Sequence, residues 1–204
     1  NSETGEYSFF TGDDFDYLDE GDTTSVTFEI LAHDDQFEMT RRTVTVNVTG
    51  TNDVPVVEDS TMTATEDGPV VTGSVAVTDE DADDTLNYEI TSVPSAGTAS
   101  VDPNGVISFD PGSDFDDLAI GETRDVTLTV RATDGESATD DGTVTVTVTG
   151  TNDAPVFRLD IGDNNASGLT ESNATLTAAG TLTLDDVDTT DSVTASVFSV
   201  STND

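Results

Sequence analysis

The segment Thr43–Val56, TVTVNVTGTNDVPV, returns as TVTVTVTGTNDAPV at Thr143–Val156, a shift of one hundred residues. A period of this length restricts the chain to a tandem array of like units, each about the size of a common domain. The echo extends upstream. Phe109–Val156 lies over Phe9–Val56 without a gap, and about half the positions are identical. Gly12/Gly112, Phe15/Phe115, Leu18/Leu118, Gly21/Gly121, Ala32/Ala132 and Asp34/Asp134 are among the shared residues. A looser match joins Gly73–Asp81 to Gly180–Asp188, and Glu66 then meets Glu171 if two residues are inserted. The expected organisation is residues 1–53 as the C-terminal half of one repeat, 54–153 as a complete repeat, and 154–204 as the N-terminal half of a third. The two outer halves are complementary. The chain opens without methionine and inside a repeat, as an excerpt or processed piece would, so missing export signals carry no weight.

Alternation decides the fold class. Threonine or asparagine alternates with valine over Thr43–Thr49 and Thr143–Thr149. Such period-two, β-branched runs form half-buried strands. Asp125–Thr133 alternates as well, placing Val126, Leu128, Val130 and Ala132 on one face, and its copy places Val26, Phe28, Ile30 and Ala32. Further strands are expected at Ser74–Thr78, Leu86–Thr91 and Val106–Phe109. Turns are expected at Asp67-Gly68, Asn104-Gly105, Asp134-Gly135 and Asp141-Gly142. Asp114–Ile120 reads as one short turn that sends Phe115 and Leu118 into the core. No stretch has convincing helical periodicity. Many short strands at even spacing indicate an all-β fold built of β-sandwiches.

Charge narrows the function. The chain has 43 acidic residues against 5 basic ones, a net charge of −38, and every basic residue is arginine. Self-repulsion at this density opposes compaction, so bound metal ions or high salt are the expected counter-charges. Nucleic acid and anionic membranes need a basic surface and are expected to be poor partners. No run is apolar enough for direct membrane insertion. Without cysteine there is no disulfide scaffold. A catalytic constellation is also missing: there is one histidine, no cysteine nucleophile and no glycine-rich phosphate loop. The chain is not expected to be an enzyme.

The acids are not placed at random. Asp79-Glu80-Asp81-Ala82-Asp83-Asp84 follows a strand, and its counterpart is Asp186-Val187-Asp188-Thr189-Thr190-Asp191. Carboxylates two apart on extended backbone can converge on one hard cation, and calcium needs six to eight oxygens. Asp134 and its copy Asp34 stand after another strand. Asn52-Asp53 and Asn152-Asp153 form the linkers. Asp83, Asp84, Asp140 and Asp141 read instead as solvated surface.

The ending V-x-V-x-G-T-N-D-x-P-V resembles the bacterial cadherin-like and VCBS-type repeats of large secreted, RTX-class adhesins. The resemblance implies tandem Greek-key sandwiches, cadherin-like within the wider Ig-like group, and calcium at the joints between them. It implies ligands at Asn152 and Asp153 ahead of Pro155, at Asp79 and Asp81, at Asp134, at Glu122 before the long strand, and at Glu66. Two departures stand out. Gly50 and Gly150 replace the first linker acid of cadherins, and the linker is one residue short. The expected partition puts Asp22, Asp34, Asn52, Asp53, Glu66, Asp79 and Asp81 at the first joint. It puts Glu122, Asp134, Asn152, Asp153, Glu171, Asp186 and Asp188 at the second.

The favoured function is a calcium-rigidified extender or adhesin segment at a bacterial surface or outside the cell, and the charge suits a marine or halophilic setting. Its partners would be neighbouring like domains. One alternative is a filament subunit, in which like chains join head to tail by completing each other's half-domains. Another is a carbohydrate-binding module for cell-surface glycans, although the chain has no tryptophan to stack on a sugar ring.

Overall fold

The computed structural model describes residues 5–81, 84–158, 160–164, 166–170 and 173–201. Among these residues the regular structure is all β, with no helix. In chain order the strands are β1 (Thr23–His33), β2 (Met39–Thr49), β3 (Val56–Val57), β4 (Ser60–Thr65), β5 (Val71–Ser74), β6 (Val77–Thr78) and β7 (Asn87–Ser92). Then follow β8 (Thr98–Val101), β9 (Val106–Asp110), β10 (Thr123–Thr133), β11 (Thr139–Thr149), β12 (Val156–Arg158) and β13 (Thr183–Asp185).

The central part is a sandwich. One sheet has the order β4-β11-β10-β7, and the facing layer holds β5-β9-β8 with the short pair β3-β6 beside it. The β10–β11 hairpin is antiparallel, from Thr123↔Thr149 to Thr133↔Thr139. Its alternation sends Val126, Leu128, Val130, Ala132, Val144, Val146 and Val148 inward, where they meet Ile107 and Phe109 of β9. The turn over 112–117 closes with the Leu118 amide donating to the Phe115 carbonyl at 2.9 Å. It delivers Phe115 edge-on to Phe109, ring centroids 6.3 Å apart. β4 pairs with β11 in parallel, Ser60↔Val144 to Thr65↔Thr149.

Two local expectations are corrected. Ser74–Thr78 is not one strand. β5 ends at Ser74 and β6 begins at Val77, because the chain crosses from the β9 edge to β3 and buries Val75 on the way. Asp141-Gly142 is not a turn either, since both residues lie inside β11. Gly142 is there because β3 comes close: a Cβ on it would stand 2.5 Å from Val57 Cγ1. Asp140 and Asp141 are likewise engaged. An Asp140 oxygen accepts the Val57 amide at 2.8 Å, and Asp141 takes a two-pronged contact from Arg131 at 2.7 and 2.9 Å.

The hundred-residue echo is visible in three dimensions. β1 and β2 pair from Thr23↔Thr49 to His33↔Met39, the register of β10 and β11 shifted by one hundred. β12 and β13 pair Phe157 with Leu184, as β3 and β6 pair Val57 with Val77.

Gly142→Ala is expected to destabilise the chain by about 1–3 kcal/mol, because Val57 and β3 must shift to admit one methyl. Phe109→Ala is expected to cost about 3–5 kcal/mol, the range for emptying a buried aromatic site. Urea unfolding followed by circular dichroism measures both. A neutral Gly142→Ala would mean that β3 does not press on β11.

Candidate metal centres at the joints

Each linker is anchored by glycine. The Gly50 amide donates to the Asp22 carbonyl at 2.9 Å and the Gly150 amide to the Glu122 carbonyl at 2.8 Å. A Cβ on Gly50 would meet the Leu18 carbonyl oxygen at 2.2 Å, and one on Gly150 would meet that of Leu118 at 2.3 Å. No side chain of any kind fits there. This explains why the linker lacks an acid at that position: the backbone of the preceding turn occupies the space.

Beyond the glycine, both joints use the same three hydrogen bonds. Asn52 and Asn152 donate from Nδ2 to the carbonyl of the next residue, at 2.6 Å in each case. The Asp53 amide donates to Asp81 Oδ2 at 2.7 Å, and the Asp153 amide to Asp188 Oδ2 at 2.9 Å. The Asp81 and Asp188 amides donate to Oδ1 of Asp79 and Asp186, at 3.2 Å each. The Asp-x-Asp of the following unit thus grips the linker main chain.

At the first joint, Asp134 joins from the turn between β10 and β11. Its Oδ2 accepts Asn52 Nδ2 at 3.0 Å, and its Oδ1 accepts the Ala138 amide at 2.7 Å. Asp79, Asp81 and Asp84 bring one carboxylate oxygen each to within 4.8 Å of one another, and Asp19, Asp84 and Glu136 do the same. At the second joint the trio is Glu66, Asp67 and Asp153. Thr151 donates from its amide and hydroxyl to Glu66 Oε1, and its hydroxyl also reaches Asp67 at 3.1 Å. Glu122 Oε2 accepts the Ala119 amide at 3.2 Å, while its Oε1 takes the Thr190 hydroxyl at 3.2 Å.

The partition expected from sequence is therefore corrected at three residues. Glu66 belongs to the second joint and Asp134 to the first. Asp34 caps its own hairpin, accepting the Gln36 and Glu38 amides at 2.9 Å, at the end of β1 remote from the first joint. Asp22 contributes its backbone to that joint, with an exposed side chain. Glu171 lies outside the described residues, as does Asp83. Asp84 is half-buried rather than solvated. Asp19, Asp67, Asp84 and Glu136 are the acids that sequence reasoning missed as site residues. Asp67 had a signal in its adjacency to Glu66, but its Asp-Gly turn explained it without a site.

These carboxylates are strained electrostatically. Burial pushes the Asp81 carboxyl above its ordinary range, and Asp19, Asp53 and Asp79 push it further against the opposing Asp53 amide. Burial does the same to Asp84, helped by Asp19, Asp79 and Asp134, and to Glu136, helped by Asp19, Asp84 and Asp134. Asp153 is raised by burial and then by Asp67, Asp188, Asp116 and Asp186. At the first joint, buried oxygens of Asn52, Asp79, Asp81 and Asp84 have no hydrogen-bond partner. At the second, oxygens of Glu66 and Asp188 are in the same state. Buried polar groups are ordinarily paired. Oxygen-only donors, several of them anionic and clustered, fit a hard divalent cation such as calcium.

Residues 52–150 match the bacterial cadherin-like domain family. Among solved structures, the chain resembles protocadherin gamma B2 extracellular cadherin domains 1–5, at 19% identity and a TM-score of 0.50, over 81% of this chain and 32% of that one. It also resembles protocadherin gamma B7 extracellular cadherin domains 1–4, at 19% identity and a TM-score of 0.49, over 81% and 41%. Drosophila N-cadherin EC1–4 matches at 18% identity and a TM-score of 0.43, over 66% and 35%. The chain thus spans about a third to two fifths of the length of these proteins. No curated protein sequence matches it. Taken with the sandwich and its facing layers, the match over residues 52–150 identifies that segment as a bacterial cadherin-like domain.

Proposed function

We propose that the chain is a calcium-stiffened segment of an extracellular array of cadherin-like repeats, an extender or adhesin stem that holds other parts at a distance. The observation that carries this reading is the set of buried, partnerless oxygens repeated at both joints. At the first joint the ligands would come from Asn52, Asp53, Asp79, Asp81, Asp84 and Asp134, with Asp22 at the rim. At the second they would come from Glu66, Asp67, Glu122, Asn152, Asp153, Asp186 and Asp188. Calcium supplies positive charge where several carboxylates crowd together. The residues themselves do the positioning: the linker amide holds the Asp-x-Asp, and the glycine pins the linker to the preceding turn. Both neighbours of a joint would then share one rigid cluster. Sugar binding by stacking is the less favoured reading, because the chain has no tryptophan.

Adding calcium is expected to raise the melting temperature and a chelator to lower it. A site occupied at about a hundred times its Kd adds about 2.7 kcal/mol. Asp81→Asn and Asp188→Asn should each remove part of the calcium response, at different joints, as isothermal titration calorimetry would report. An unchanged melting curve with and without calcium would remove the cation from this account.

The sign of the pH effect differs between the two states. Asp81, Asp84, Glu136 and Asp153 have raised folded pKa values, so the folded chain binds protons more tightly than the unfolded one. In chelator, stability is therefore expected to rise as pH falls from 7 towards about 5. Below about 3.9, the ordinary aspartate value, the lowered carboxyls of Asp102, Asp117, Asp141 and Asp163 work the other way. In saturating calcium the trend from 7 to 5 should reverse, because protons displace the cation. Thermal melts across the pH series, in both buffers, measure this.

A further inference from the structure

We infer that the two joints are held by different means: the second by a hydrogen-bonded latch that needs no cation, the first by the cation alone. At the first joint the inference rests on the calcium reading; at the second it stands apart from it.

At the second joint, hydrogen bonds run directly from the Asp-x-Asp loop of the following unit to the turn of the preceding one. The Thr189 amide and hydroxyl both donate to the Asp117 carbonyl, at 3.3 and 3.1 Å. The Thr190 hydroxyl donates to Glu122 Oε1 at 3.2 Å. Glu122 Oε2 accepts the Ala119 amide at 3.2 Å, so one carboxylate ties its own turn to the next unit. The turn that offers these acceptors is itself braced. Arg124 Nη2 donates to Asp117 Oδ2 at 2.6 Å, and the Arg124 guanidinium lies 5.7 Å from the centroid of the Phe115 ring. Phe115 is fully buried, so the brace reaches the core. A hydrogen bond to a charged acceptor is stronger than one to a neutral acceptor, and a braced acceptor has little freedom left to lose.

The latch has no copy at the first joint. The repeat puts Ala82 and Asp83 where Thr189 and Thr190 stand, and neither has a hydroxyl; an ionised aspartate only accepts. Tyr17 and Thr24 replace Asp117 and Arg124, so the brace is missing too. Asp22 is one methylene shorter than Glu122, and its side chain is exposed. Acid faces acid across this joint. Asp19 of the preceding turn and Asp84 and Glu136 of the following unit bring one carboxylate oxygen each to within 4.8 Å of one another. Asp84 also belongs to the trio with Asp79 and Asp81. Asp81 is 3% exposed, its Oδ1 has no partner, and Asp19 is among the charges that act on it. At the second joint the position of Asp19 is taken by Ala119, which brings no charge.

The two contacts therefore respond oppositely to loss of the cation. Like charges this close repel unless a counter-charge lies between them, so the first joint opens. The hydrogen bonds of the second joint involve no metal, so that joint keeps its angle. A cation at the second joint adds stability there, while the latch sets the direction. When calcium falls, the segment bends at one joint and stays straight at the other.

The test puts pairs of nitroxide labels on the 204-residue chain, which has no cysteine of its own. Thr27→Cys with Thr127→Cys reads the first joint, and Thr127→Cys with Val156→Cys reads the second; all three positions are exposed. Double electron–electron resonance gives the spread of distances across each joint, in calcium and in chelator. The first joint is expected to be narrow in calcium and broad in chelator. The second should be narrow in both. Replacing Thr189→Val and Thr190→Val together should broaden the second joint in chelator. Thr189→Ser with Thr190→Ser keeps both hydroxyls and should leave it narrow, which separates loss of the latch from general damage to the loop. A wild-type second joint that is broad in chelator overturns the inference. So does a second joint that stays narrow in the valine variant or broadens in the serine variant. If the first joint still responds to calcium in those cases, the calcium reading survives the loss of the latch. A first joint indifferent to calcium defeats that reading there and, with it, the contrast between the joints, whatever the second joint does.

Discussion

Everything at the joints depends on one arrangement, a buried carboxylate that satisfies the linker with one oxygen and leaves the other bare. Asp81 does this to the Asp53 amide, and Asp188 to the Asp153 amide. Burying a charge is costly unless it is paired and fully hydrogen-bonded. Among the described residues, no arginine forms an ion pair with these two carboxylates. Arg41 pairs with Glu29, Arg124 with Asp117, Arg131 with Asp141 and Glu89, and Arg158 with Asp185. These four arginines are engaged at strand edges and turns, away from the bare oxygens of the joints. A protein with −38 net charge can tolerate its scattered surface acids, because exposed charges are screened over a Debye length of about 10 Å in ordinary salt. Screening fails where the fold forces three carboxylates within 4.8 Å and partly out of water.

The glycine of the linker shapes the chemistry next to it. Because Gly50 and Gly150 press against backbone carbonyls, the Asn-Asp pair of the linker begins two residues later. Threonine intervenes, and Thr151 ties the linker to Glu66 and Asp67. The same pinning fixes the direction in which the chain leaves each domain.

Much of this was legible from sequence, and the failures share a cause. The long hairpins, the inward valines, the Phe115 turn, the linker and the Asp-x-Asp were all readable, because each rests on local alternation or on the repeat. The assignment of Glu66 and Asp134 to joints was not. β4 runs parallel to β11, so Glu66, just past its end, arrives at the pole where β11 enters the linker. β10 runs the opposite way and delivers Asp134 to the other pole. Alternation reveals that a strand exists but not its direction against its neighbours. Asp141-Gly142 failed for a different reason. Glycine serves tight turns and close approaches alike, and only the position of Val57 separates the two.

The joints and the core are coupled by the same strand pairs. β4 contributes Ala64 to the core and ends one residue before Glu66, whose amide donates to the Thr149 carbonyl at 3.1 Å. β11 contributes Val144, Val146 and Val148 and ends one residue before Gly150. Repulsion among Glu66, Asp67 and Asp153 therefore acts on the last rungs of the β4–β11 ladder, and neutralising it tightens that ladder. At the other pole, Asp134 stands one residue past β10, where its Oδ1 closes the turn into β11 and its Oδ2 meets Asn52. Neither pole can be discharged without easing the strands that build the core. Neutralising the carboxylates at either pole consequently acts on the fold of the domain, through the strands that end there.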